Sequence, residues 1–134
     1  MQNRVAMNEQ AEALKKRTKK FTLDVLTFVR TLPGTDEAKA IGRQFIRAGT
    51  GVGANYRSTC RSRSKAEFVA RIGVALGEAD EAAFWFEVIT EGGICRNKAA
   101  FALLDEADQL SAMFAASSIT ATEALHRTNT RRRP

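Results

Sequence analysis

Residues able to do chemistry are few in this 134-residue chain, and their spacing sets them apart from one another. Glu78 and Asp80 come nearest to a paired-carboxylate centre of the kind used in acid/base catalysis or in a two-metal bundle site. A bundle metal site draws its histidines from Glu-x-x-His motifs on facing helices. The chain has one histidine, His126, near its C-terminal end, so neither that site nor a Ser-His-Asp or Cys-His arrangement can be assembled. Cys60 and Cys95 have no CxxC spacing and no neighbouring histidine, which argues for two reduced thiols rather than zinc or redox chemistry. Gly49, Gly51 and Gly53 suggest a phosphate loop at first sight, but no strand precedes them and no Gly-Lys-Ser/Thr follows. The expectation is a protein with no catalytic residues, no metal and no cofactor.

The cations are another matter. Formal net charge is +6, divided as +9 over residues 1–71 and −3 over residues 72–134. Lys15, Lys16, Arg17, Lys19 and Lys20 form one cluster, Arg57, Arg61, Arg63 and Lys65 a second, and Arg127 with Arg131 to Arg133 a third. Guanidinium and ammonium groups gathered in this way suit a polyanion, each neutralised phosphate releasing counterions. They equally suit basic and acidic faces meeting within an oligomer.

Positioning these clusters requires helices. Only two prolines occur, and the apolar residues recur at threes and fours. Residues 1–8 read as a flexible lead-in, and the first helix runs from Glu9 to Leu32 with Leu14, Thr18, Phe21, Val25, Phe28 and Leu32 on one stripe. On this reading the lysine cluster falls in the first turns, against the positive end of the helix dipole. Pro33 and Gly34 stop that helix, and Thr35 or Asp36 caps a second from Glu37 to Cys60, with Ile41, Phe45, Ala48, Val52, Asn55 and Thr59 facing in. A parallel stripe of small residues, Gly42, Gly49 and Gly53 among them, implies close approach by a neighbour, and the row Ala66, Ala70, Gly73 and Gly77 is its natural counterpart. Ser64 and Glu67 form a capping box for a third helix ending at Gly92 and Gly93. A fourth spans Asn97 to Ser118 with Phe101, Leu104, Ala107, Leu110, Met113 and Phe114 facing in, and residues 119–134 read as a basic flexible tail.

Short connections between helices of similar length predict an all-α, antiparallel up-down-up-down four-helix bundle in one domain. That topology brings the three cation clusters, 13 of the 21 basic residues, to one pole. Lys15, Lys16, Lys19, Lys20, Arg57, Arg61, Arg63 and Lys65 are the candidate nucleic-acid-binding residues. With no base-reading motif and only Tyr56 near that pole, binding would follow shape and charge. Asn55 lies on the core stripe, where it must be hydrogen-bonded, and Glu78 and Asp80 are placed to answer it or Arg47. Trp85 falls on the flank of its helix and calls for cover, most simply by a second subunit, though a tail or terminal segment folding back would serve as well. Asn55, Glu78 and Trp85 are thus read as structural. No run of 18 apolar residues exists and no signal-peptide core opens the chain, which predicts a cytoplasmic protein with no membrane segment.

The segment from Gly49 to Phe86, with Gly-Val-Gly-Ala-Asn-Tyr-Arg, Arg-Ser-Lys-Ala-Glu-Phe and Ala-Leu-Gly-Glu-Ala-Asp-Glu before Trp85, resembles the four-helix-bundle family encoded by intervening sequences in 23S rRNA genes. Asn55, Phe68 and Glu78 match recurrent positions of its motif. The resemblance implies a homopentamer with a central channel and no established enzymatic activity. A related branch, similar to the accessory proteins of diversity-generating retroelements, binds nucleic acid and partners a reverse transcriptase. The expectation is a non-enzymatic homo-oligomer that binds RNA or DNA as an accessory factor. The alternative is a protein-interaction scaffold whose basic residues serve subunit contacts.

Overall fold

The structure, a computed structural model, describes residues 2–132, with side chains from Asn8 onward. Four helices follow in order: α1 Gln2–Val29, α2 Asp36–Cys60, α3 Lys65–Glu91 and α4 Lys98–Arg131. Each boundary has a local cause. After Val29 the chain tightens into single turns, Thr31 N–H donating to Phe28 O at 2.9 Å and Leu32 N–H to Val29 O at 3.1 Å, and Pro33 cannot continue the ladder. Thr35, rather than Asp36, caps α2, its hydroxyl accepting from Ala38 N–H at 3.2 Å. Ser64 caps α3 by accepting from Glu67 N–H at 3.1 Å. Asn97 does the same for α4 through Ala100 N–H at 2.9 Å. Gly93, at φ +75°, takes the left-handed conformation that turns the chain out of α3.

Contacts between the helices fix the topology. Gly42 faces Val29 and Leu32, Gly49 faces Val25, and Gly53 faces Thr18 and Thr22, so α1 and α2 run antiparallel. Ser58 meets Arg71, Gly51 meets Glu78 and Arg47 meets Glu81, so α2 and α3 do likewise. α3 packs along α4 as closely as along α2, whereas α1 meets α4 only lightly. The result is the up-down-up-down bundle.

The core has two aromatic ends and a slender middle. Phe28, Phe45 and Phe86 interlock at one end, with the Phe45 and Phe86 ring centroids 4.0 Å apart. Tyr56 stacks on Phe114 across the bundle at 5.4 Å. Between them lie buried Val25, Ala48, Val52, Ala75, Ala79 and Ala82, whose small size lets the helices close up.

Three expectations are corrected here. The glycine row of α2 packs on α1, not on α3: a methyl at Gly49 would lie 3.0 Å from both Val25 methyls, while nothing lies within 4 Å of such a methyl at Gly73 or Gly77, which face outward. On α4, Ala100, Ala107, Leu110 and Phe114 are buried, while Phe101 and Met113 are exposed; the inward stripe lies to one side of the one read from the sequence. Finally, α4 continues as helix from Ile119 to Arg131, and α1 already begins at Gln2. The extension of α4 has a cause in sequence: Ala121, Ala124, Leu125 and Thr128 keep helical spacing and are half-buried, and Thr128 accepts a hydrogen bond from Lys65 Nζ at 2.9 Å. Arg133 and Pro134 lie outside the described range. No helix is long and apolar enough to cross a membrane among the described residues.

Candidate nucleic-acid interface

The α2–α3 turn carries a cluster of unpaired positive charge. Arg57, Arg61, Arg63 and Lys65 are exposed, and none has a carboxylate within 4 Å among the described residues. The turn itself is tied down: Arg61 N–H donates to Ser58 O at 3.0 Å and Ser62 N–H to Thr59 O at 3.1 Å. Arg71, unremarked in the sequence reading, reaches back from α3, its Nη1 donating to Ser58 O at 2.8 Å while its Nη2 pairs with Glu67. Glu67 Oε2 in turn accepts from Arg63 N–H at 3.2 Å. The capping box therefore extends into a network that fixes the basic turn.

The α1 cations divide. Because α1 starts at Gln2, Lys15 to Lys20 lie in its middle, away from the dipole's positive end, so the dipole cost anticipated there does not arise. Thr18 packs against Gly53, so Lys19 and Lys20 stand about two helical turns short of the α2–α3 turn rather than at the pole itself. Lys15 pairs with Glu12 at 2.5 Å and Lys20 with Asp24 at 2.6 Å, a bond that raises the Lys20 pKa. Arg17 clamps α4: its Nε donates to both Glu106 oxygens at 3.2 and 3.1 Å and its Nη2 to Gln109 Oε1 at 2.8 Å. The hydrogen bond to Glu106 raises the Arg17 pKa. Lys16 and Lys19 are exposed with no carboxylate within 4 Å among the described residues.

Asn55 is half-buried and donates from Nδ2 to Gly51 O at 2.8 Å, within its own helix and not to Glu78 or Asp80. Glu78 lies over Gly51, where a methyl would come within 2.8 Å of its carboxylate, and its Oε2 is buried with no hydrogen-bond partner, Arg47 Nη1 standing 3.9 Å away. Asp80 points to solvent. The partner of Arg47 is Glu81, which also accepts from Trp85 Nε1 at 3.2 Å. Glu81 is four residues before Trp85 on one helix face, a spacing that sets the pair side by side. Trp85 is half-buried and leans on Phe84, itself 53% exposed.

Tyr56, the single tyrosine, is 7% exposed, and burial followed by its contact with Cys60 pushes its pKa well above the usual phenol value. It belongs to the core and is not free to stack on a base. Cys60 and Cys95 are half-buried free thiols.

Comparison with known proteins completes the picture. Residues 10–116 match the family described as 23S rRNA-intervening sequence protein. The chain belongs to this family. A solved member of the S23 ribosomal protein family from Bacteroides thetaiotaomicron VPI-5482, described as a protein with unknown function, superimposes with a TM-score of 0.71 at 20% identity, covering 78% of this chain and 96% of that one. At that identity the likeness concerns the fold. No curated protein matches the chain. As a member of the 23S rRNA-intervening sequence protein family, this chain carries the family match through α1, α2, α3 and α4 as far as Ala116. The last turns of α4, with Arg127 and Arg131, lie beyond it.

Proposed function

We propose that this protein is a non-enzymatic, homo-oligomeric accessory factor of the cytoplasm that binds RNA or DNA through the α2–α3 turn without strong sequence preference. The observation that carries this reading is the set Arg57, Arg61, Arg63 and Lys65, exposed and without carboxylate partners, on a turn held rigid by Arg71 and Glu67. The fixed frame holds these cations close together, and each phosphate neutralised releases counterions. Lys16 and Lys19 extend the surface along α1. Lys15 and Lys20 contribute less, because each already has a carboxylate.

Self-association is favoured by the outer face of α3. Ala66, Ala70, Gly73, Gly77, Asp80 and Phe84 are all exposed and alternate in spacing by fours and threes, the heptad pattern of a helix that meets another. A pentamer is the assembly the family resemblance implies, and a reverse transcriptase or another protein is a partner consistent with it.

Replacing Arg57, Arg61 and Arg63 together by Gln tests the first reading. Affinity for short RNA and DNA is expected to fall for every sequence alike, and the slope of log affinity against log salt to become shallower by about two to three. Retained affinity and slope would move the function to the scaffold alternative.

A further inference from the structure

We infer that the recess beside the α2–α3 turn is a phosphomonoester site, built by Arg61, Arg63 and Arg71 to take the terminal phosphate of a nucleic-acid strand or of a small phosphorylated molecule. It rests on the nucleic-acid reading only for the first of these sources. The recess has a volume of about 500 Å³ and is lined by Ser58, Arg61, Arg63, Glu67 and Arg71, ample for a phosphate with part of the group that bears it.

Charge selects the ligand. Glu67 is the one carboxylate in the lining, and it is engaged on both oxygens, one pairing with Arg71 and the other accepting from Arg63 N–H at 3.2 Å. Its charge is set against Arg71, leaving those of Arg61 and Arg63 uncompensated. Two free guanidinium charges match a phosphomonoester, which carries about −1.5 to −2 at neutral pH and presents three acceptor oxygens. An internal phosphodiester carries a single charge and has two free oxygens. Guanidinium forks suit the three-oxygen face because each can donate two parallel hydrogen bonds. Arg71 is already oriented by its bond to Ser58 O at 2.8 Å, so part of the site is preorganised. No aromatic ring lines the recess, so nothing there stacks a base, and recognition stops at the phosphate.

The test uses one single-stranded oligonucleotide, labelled internally, with a 5′-phosphate, a 3′-phosphate or hydroxyls at both ends, bound to the full chain and followed by fluorescence anisotropy. A phosphorylated end is expected to bind about tenfold more tightly than hydroxyl ends, the worth of one added charge-assisted hydrogen bond. The double variant R61Q/R63Q should erase that preference. The double variant K16Q/K19Q should weaken all three oligonucleotides alike and keep it. Equal binding of the three would overturn the phosphomonoester site while leaving the nucleic-acid reading standing. If none binds even at low salt, the nucleic-acid reading fails, and titration with inorganic phosphate and a nucleoside 5′-monophosphate decides the site alone. Saturable amide shifts around Arg61 and Arg63 that vanish in R61Q/R63Q would then support a small phosphorylated ligand, and their absence would overturn the site. Both arginines are exposed, so the variant should keep wild-type helicity, which circular dichroism checks.

Discussion

Tyr56 shows how one buried group ties the bundle to pH. Its phenol stacks on Phe114 out of water, which raises its pKa above the reference value of 10.0. A raised folded pKa means that the native state keeps its proton where the unfolded chain has lost it, so stability holds below about pH 10 and declines as pH rises further. Stability measured by urea unfolding should therefore fall more steeply between pH 9.5 and about pH 11.5 in the wild type than in Tyr56→Phe. Because no other tyrosine exists, tyrosinate absorbance in that range should appear together with loss of helicity rather than before it. An early, independent tyrosinate signal would show that the ring is reached by solvent.

At the scale of elements, α4 is the helix whose extent departs most from its sequence pattern. Its turns beyond Ser118 contribute half-buried Ala121, Ala124 and Leu125 and the Lys65–Thr128 hydrogen bond. Truncation after Ser118 is expected to lower Tm by roughly 3–8 °C while leaving the rest helical, as a thermal melt would report. The caps at Thr35 and Ser64, the stop at Pro33 and the stripes of α1 and α2 were all readable in the sequence, because each depends on local chemistry. On α4 the inward Ala107, Leu110 and Phe114 were legible too, but the edge of the stripe was not, since Phe101 and Met113 fit a helical stripe as well as Ala100 does and only packing chooses between them. The partners of the polar residues were hidden for a related reason. Arg17 meets Glu106 across the bundle, and Arg47 chooses Glu81 over Asp80 by the rotation of α3, which no spacing in the sequence specifies. Of the candidate site, the arginines of the α2–α3 turn were legible as a cluster; that Arg71 braces them was not.

For the whole molecule, the exposed glycines of α3 and the unpaired arginines stand on surfaces that a single copy leaves open. Gly77→Leu tests the first: a β-carbon there has nothing within 4 Å in one chain, and a leucine would obstruct a helix docked on the stripe. Light scattering is expected to give a lower mass for this variant than for wild type with helicity retained, and an unchanged mass would shift the contact away from α3. One further consequence comes from the uneven seams of the bundle. α1 is bound chiefly along α2: it touches α4 lightly, through the half-exposed Arg17 clamp among other contacts, and meets α3 where Phe28 packs on Phe86. A helix hinged on one side is the cheapest large piece to release. Amide hydrogens of α1 should thus exchange with solvent as a block, earlier than those of α2 and α3. Each such opening would bare the buried Phe21 and Val25 and carry the already exposed Lys16, Lys19 and Lys20 away from the bundle with them, so that the moment when the chain is most adhesive to its own kind is also the moment when its charge layout changes.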